Sequence, residues 1–68
     1  MITFDPLWKT LKSKGMNKGD LQKATGLSSS TVAKLAKNEK VSLDVVDRIC
    51  SELKVPIYDV VEHDPAPK

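Results

Sequence analysis

The sequence has few of the features that mark secreted or membrane proteins. It contains a single cysteine in 68 residues, so an internal disulfide cannot form and an oxidising compartment is not indicated. No apolar run approaches the ~20 residues that a membrane-spanning helix requires. The N-terminus lacks the basic segment and long apolar segment of a signal peptide. We therefore expect a soluble, cytoplasmic protein without a membrane partner.

The residues that catalysis and metal binding require are also scarce. His63 is the only histidine, and no Cys/His or Ser/His/Asp arrangement includes it. His63, Asp64 and the distant Cys50 do not have the spacing of metal ligands. No glycine-rich phosphate-binding loop is present. The sequence therefore predicts no enzyme activity, no metal, no cofactor and no small-molecule ligand.

Charge is unevenly distributed along the chain, although the net charge is only +2. Residues 1–40 contain eight lysines and three acidic residues, a net +5, whereas residues 41–68 contain three basic and six acidic residues, a net −3. Such a separation favours a polyanionic partner on one side of the molecule.

The length allows one small domain, near the lower limit for a core that is stable alone. We predict an extended segment over residues 1–4, a helical domain over 5–61 and a flexible tail over 62–68. Ile2 and Phe4 have the period-two spacing of a short strand, which would either cover the core or pair with another chain.

The first helix has clear end signals. Asp5 is the predicted N-cap, Pro6 suits the first helical position, and Gly15 ends the helix. Its predicted buried stripe consists of Leu7, Trp8 and Leu11. The tryptophan is therefore interpreted as a core residue rather than as a platform for stacking bases.

Three further helix starts share one pattern, the hydrophobic staple. An apolar residue precedes the cap, and a second apolar residue follows four positions after it. The three sets are Met16, Asn17 and Leu21; Leu27, Ser28 and Val32; and Val41, Ser42 and Val46. The pattern predicts second, third and fourth helices beginning after Asn17, Ser28 and Ser42.

The fourth helix and its continuation follow from periodicity and proline. Apolar residues of the fourth helix recur at helical spacing at Val46, Ile49, Cys50 and Leu53. Cys50 is thus interpreted as a small buried hydrophobic residue. Pro56 stops this helix, and Ile57–Val61 is predicted to form a short fifth helix. The predicted fold is therefore all-α with five helices and a short N-terminal strand.

The second and third helices form the most informative stretch, Lys18 to Lys37, KGDLQKATGLSSSTVAKLAK. Asn17 and Asp20 match a capping box, and Gly26 suits the left-handed position at a helix end. Leu21 and Ala24 are placed on one face of the second helix; Val32 and Leu35 are the inward residues of the third. Two helices joined by a short glycine-containing turn have the spacing of a DNA-reading helix-turn-helix. The alternative is a helical hairpin that only packs.

The stretch LQKATGLSSSTVAKL, followed by VSLDVVDRICSELKVPIYDVV, resembles the phage repressor/Cro-type, XRE-like family of helix-turn-helix regulators, in particular its short stand-alone members. The resemblance covers about residues 5–61. It implies a five-helix domain that binds double-stranded DNA, usually as a homodimer on a two-fold operator, and regulates transcription. Such a protein is nucleoid-associated when bound to DNA.

The resemblance also implies a set of DNA contacts. Lys18, Lys37 and Lys40 would contact phosphates, Ser28 would cap the recognition helix near the backbone, and Ser29, Ser30 and Lys34 would face base edges. Gln22 departs from the family, which usually has a small residue there; its side chain must lean outwards, and it either alters the helix crossing or contacts DNA itself.

Physical chemistry supports the same face independently of the resemblance. The short side chains from Ser28 to Thr31 let the helix N-terminus approach phosphates, where its dipole and free N–H groups favour anions. Hydroxyl groups read bases weakly, because they both donate and accept, whereas Lys34 prefers guanine O6 and N7.

Two functions remain open from the sequence. A DNA-binding transcriptional regulator, more specifically a repressor, is the first; a protein–protein module such as an antitoxin or anti-repressor is the second. A homodimer is expected to form through apolar residues of the C-terminal half, with a contribution from the extended N-terminal segment. The predicted interface residues are Ile2, Phe4, Ile57, Tyr58, Val60 and Val61.

Overall fold

A computed structural model describes residues 1–65 of the chain. Within these residues it contains four α-helices, one 3₁₀ turn and two short strands. The elements are β1 (Ile2–Thr3), α1 (Asp5–Ser13), α2 (Lys18–Thr25), α3 (Ser29–Ala36), α4 (Leu43–Leu53), the 3₁₀ turn (Ile57–Asp59) and β2 (Glu62–His63). None of the helices in the described part is long and apolar enough to cross a membrane.

The prediction of a fifth helix is wrong. The chain forms only a single 3₁₀ turn over Ile57–Asp59 after Pro56. The hydroxyl of Thr10 in α1 donates a hydrogen bond of 2.7 Å to the carbonyl oxygen of Asp59, which ties the turn to α1. The backbone then extends into β2 within three residues of the turn and pairs there with β1. A residue in a strand pair cannot also be helical, so this pairing leaves room for one turn only.

The caps of α2, α3 and α4 are confirmed. The Asn17 side chain accepts from the Asp20 N–H at 2.8 Å, and the Asp20 carboxylate accepts from the Asn17 N–H at 3.1 Å, which completes the capping box. Ser28 and Ser42 accept hydrogen bonds from backbone N–H groups three residues later. Such caps satisfy N–H groups that lack a partner within the helix.

The start of α1 differs from the prediction. Phe4 occupies the N-cap position, and no side chain caps the helix. Asp5 is instead the first helical residue, where its carboxylate interacts favourably with the helix dipole, and Pro6 lies in the first turn. At the other end Gly15 has φ +69° and ends the helix as predicted.

One hydrophobic core joins all four helices, the N-terminal segment and the residue that follows the 3₁₀ turn. Its buried members are Phe4, Leu7, Leu11, Leu21, Leu35, Val46, Ile49, Leu53 and Val60. Trp8 and Cys50 are only half-buried and pack against this core. The predicted inward position of Ala24 is wrong: Ala24 is exposed, and Thr25, one full turn after Leu21, is buried instead.

The two ends of the domain pair with each other. Strands β1 and β2 are antiparallel, with Ile2 opposite His63 and Thr3 opposite Glu62. The N-terminal strand thus pairs within its own chain, and the predicted flexible tail begins instead with two paired residues. The rest of that predicted tail includes residues 66–68, which lie outside the described residues. The Asn38 side chain also accepts a 2.8 Å hydrogen bond from the Phe4 N–H, which fixes this segment against the end of α3.

Gly26, in the turn between α2 and α3, should be sensitive to substitution. Its φ is +71°, and an added Cβ would meet only the Arg48 guanidinium, at 3.9 Å, so strain rather than a clash sets the cost. We expect Gly26→Ala to lower the free energy of unfolding by about 1–2 kcal/mol, measured by urea denaturation. Gly26→Asn should cost less and Gly26→Val more, because asparagine tolerates this conformation and a β-branched residue does not. Equal losses for Asn and Val would contradict the conformational explanation.

Candidate nucleic-acid interface

Helices α2 and α3 are joined by a tight turn over Gly26, Leu27 and Ser28. The Gly26 N–H donates to the Gln22 carbonyl oxygen at 2.8 Å and closes the end of α2. From α4, the Arg48 guanidinium donates to the Thr25 carbonyl oxygen at 3.4 Å. This hydrogen bond links the end of α2 to α4, the helix that follows the motif. This is the geometry of a helix-turn-helix, in which the second helix is presented to a groove.

Helix α3 has a clear division between buried and exposed residues. Val32 and Leu35 are 6% and 0% exposed and face the core, as predicted. The exposed residues of α3 are Ser29, Ser30, Ala33, Lys34 and Ala36, followed at its C-cap by Lys37. Apart from Lys34 these are small or lie at the helix end, so the exposed face has the low profile needed to enter a major groove. We call this set the α3 face.

Hydroxyl groups cluster at the N-terminus of α3. The Ser28 Oγ lies 3.0 Å from both the Ser30 Oγ and the Thr31 Oγ1, and it accepts from the Thr31 N–H at 3.2 Å. No acidic residue lies in the first turn of α3. The positive end of the helix dipole is therefore not compensated by a carboxylate of that turn, which favours an approaching phosphate.

The lysines predicted to contact DNA are all exposed. Lys18 is the first residue of α2, Lys34 and Lys37 lie in the second half of α3 and at its end, and Lys40 lies in the following loop. The Lys18 ammonium is held over the ring of Trp8, 5.4 Å from its centroid. Gln22 is half-buried.

Residues 6–66 match the family model of the Cro/C1-type helix-turn-helix DNA-binding domain. This chain belongs to that family. The resemblance inferred from the sequence is therefore confirmed, and the exposed α3 face lies on the second helix of its helix-turn-helix. Among curated proteins, no sequence is similar enough to count as a match.

A solved structure supports the same assignment. The chain is similar to the transcriptional regulator VanUg, with 45% sequence identity and a TM-score of 0.89. The similarity covers 96% of this chain and 87% of the VanUg chain.

Two exposed residues of this Cro/C1-type domain were not among the candidate site residues inferred from the sequence. Ala33 is exposed on the α3 face four residues after Ser29, and this helical spacing was the available signal. Its methyl group suits contact with a thymine methyl. Leu43 is 79% exposed at the start of α4. The helical spacing of the buried residues Val46, Ile49 and Leu53 could have indicated that Leu43 is exposed.

An apolar groove lies beside Leu43. It has a volume of about 370 Å³ and is lined by Ile2, Phe4, Lys40, Val41, Leu43, Val46, Ile57 and Val61. Two residues of the predicted dimer interface have no exposed surface to offer: Phe4 and Val60 are 2% and 0% exposed, because both complete the core of their own chain. Ile2, Ile57 and Tyr58 are exposed, and Val61 is half-buried.

Cys50 is the single cysteine of the chain and is a free thiol. It lies on α4, half-buried, and burial followed by the nearby Asp47 carboxylate raises the pKa of its thiol above the ordinary value. The reactive thiolate is thus disfavoured at neutral pH. Within residues 1–65, no group of three histidine, cysteine or acidic side chains is placed to hold a metal ion.

Proposed function

We propose that this protein is a sequence-specific, double-stranded DNA-binding regulator of transcription that binds a two-fold operator as a homodimer. The observation that carries the proposal is the α3 face: a helix with a capped, hydroxyl-rich N-terminus, small exposed residues and one long cationic side chain at its centre. The similarity to a transcriptional regulator supports the same function.

The proposal assigns base contacts to residues of the α3 face and phosphate contacts to the lysines around it. Ser29, Ser30 and Lys34 face base edges in the major groove, and Ala33 contacts a thymine methyl. Lys37 and Lys40 follow the groove towards the sugar–phosphate rim, while Lys18 reaches a phosphate from the start of α2. Two residues assist: Ser28 caps α3 beside the backbone, and the half-buried Gln22 extends its amide towards DNA.

Repression is the form of regulation that the chain supports best. The part of the chain that matches the family is a DNA-binding domain, and its binding to DNA requires no contact with polymerase. A protein that occupies its operator can nevertheless exclude polymerase by steric hindrance alone. The DNA-binding mode is thus sufficient for repression.

The apolar groove provides the proposed dimer interface, with a second copy of the chain as its occupant. Leu43 and Ile57, 79% and 54% exposed, lie in the lining of the groove. A two-fold interface brings the same surface of both copies together. Each copy can then insert its projecting apolar side chains into the groove of the other. Lys40, a proposed phosphate contact, lies in the same lining. The interface therefore adjoins the DNA-binding surface and can fix the spacing of two α3 helices.

Selection of binding sites from random duplexes, followed by footprinting, tests the function. We expect enriched sequences with two inverted half-sites whose centres lie about one helical turn apart, ~34 Å. Protection of bases in the major groove of each half-site would agree with the placement of α3. Failure to enrich any sequence above non-specific binding would contradict the proposal.

Leu43→Glu should disrupt the dimer. A carboxylate placed in an apolar interface between two copies is costly to bury, so the complex with a full operator should lose its two-chain stoichiometry and affinity should fall at least tenfold. Sedimentation of the protein–DNA complex measures the stoichiometry. Ser51→Glu, an exposed position of α4 outside the groove lining, is the matched control for the added charge. A single wild-type chain on a complete operator would refute the dimer.

A further inference from the structure

We infer that Trp8 is a positioning residue for DNA binding, which holds the Lys18 ammonium ready for a phosphate. The inference rests on the proposed function. The Lys18 Nζ lies over the indole ring at 5.4 Å from its centroid, within the range of a cation–π interaction. Trp8 belongs to α1 and Lys18 begins α2, so the contact joins two helices.

Lys18 lies where its own helix repels a cation. It is the first residue of α2, at the positive end of the helix dipole. The Asp20 carboxylate in the same turn, which accepts from the Asn17 N–H in the capping box, offsets only part of this repulsion. The electron-rich face of the indole ring offsets the repulsion, and it does so without neutralising the charge that a phosphate requires.

Trp8 is less buried than a residue with a purely structural role in the core would be, and this fits a positioning role. Leu7 and Leu11, on the same helix, are 0% and 3% exposed, whereas Trp8 is half-buried with its ring packed against the core. The ring is thus anchored by the core yet accessible to the Lys18 side chain.

Pre-organisation gives the contact its effect on binding. A lysine side chain has many rotamers, and immobilising it against a phosphate costs conformational entropy. The Trp8 ring restricts Lys18 before DNA arrives, while the three N–H donors of the ammonium can still bond to phosphate oxygens. DNA therefore binds a lysine whose freedom is already reduced.

A double-mutant cycle tests the inference on the full-length protein and its selected operator. Trp8→Leu should weaken binding about two- to fivefold per half-site, the equivalent of an exposed cation–π contact. In a Lys18→Met background, Trp8→Leu should cause no further loss. In a Lys34→Ala background, the matched control at a lysine away from the ring, the loss should persist in full. Trp8→Phe should retain most of the affinity, because it keeps an aromatic face.

The outcomes separate positioning from a general structural role. If Trp8→Leu weakens binding equally with and without Lys18, Trp8 acts through the fold and the inference is overturned. If Trp8→Leu does not fold, judged by thermal unfolding, Trp8→Phe carries the test: its smaller loss, up to about twofold from the weaker ring, should vanish in the Lys18→Met background. Absence of salt-dependent DNA binding by the wild-type protein would refute the proposed function, and the inference with it; binding without coupling would refute the inference alone.

Discussion

Raising the monovalent salt concentration fourfold should weaken operator binding by about 10³- to 10⁴-fold. A dimer that neutralises about six to eight phosphates releases the corresponding counterions, so log K against log salt should have a slope of about −5 to −7. The lysines beside and on the α3 face are exposed, and in the proposed function they supply these contacts. Fluorescence anisotropy with a labelled duplex, measured at about 50 mM and 200 mM salt and between, gives the slope.

The same titration discriminates between the two functions that the sequence left open. An apolar protein–protein interface does not release counterions from DNA, so an antitoxin or anti-repressor module that acts only on a protein would show no steep slope. A flat response would therefore contradict DNA binding and favour the protein–protein module.

Lys34→Ala should remove specificity as well as affinity. Lys34 projects from the α3 face one turn after Ser30. Val32 and Leu35, on the opposite side of the helix, are buried in the core. We expect a loss of roughly 1–3 kcal/mol per half-site at the cognate operator and a relaxed preference for one base pair in each half-site. Competition against operators that carry single-base changes measures both effects.

Lys37→Ala and Lys40→Ala are the matched controls, since each removes the same charge away from the centre of the α3 face: Lys37 lies at the C-cap of α3, and Lys40 lies in the following loop. Both should weaken all sequences about equally and reduce the salt slope by about one for each phosphate that is no longer neutralised. If Lys34→Ala behaves in the same way and base preference is retained, Lys34 binds only a phosphate. Recognition would then rest on the serines, Gln22 or the shape of the DNA.

The helix-turn-helix was predictable because its determinants are local. The Asn17–Asp20 capping box and the Ser28 cap act within one turn of chain, and the conformation of Gly26 depends on the absence of a Cβ at that residue. The inward positions Val32 and Leu35 follow from helical periodicity alone. Since the α3 face is what these residues leave exposed, the candidate site could be placed from the sequence with Ser29, Ser30 and Lys34 upon it.

Some of the errors were also local, and they arose where two spacings are both compatible with one helix face. Leu21 can be followed inward by the residue three or four positions later, and the pattern favoured Ala24. The packing of α2 against α4 buries Thr25 instead, where its hydroxyl donates to the Leu21 carbonyl oxygen at 2.7 Å. A buried threonine that bonds its own helix gives no hydrophobic signal in a sequence.

By itself the sequence determined the four α-helices, the turn and the exposed α3 face, because caps, glycine and apolar periodicity act between residues close in the chain. Tertiary structure alone decided what depends on residues far apart in the chain. It set the single 3₁₀ turn, which Thr10 ties to α1, and the pairing of Ile2 with His63. It likewise brought Trp8 to Lys18 and placed Leu43 in an apolar groove. No local preference encodes such contacts; they form because a small domain buries its apolar surface and closes its hydrogen bonds only when all its segments pack together.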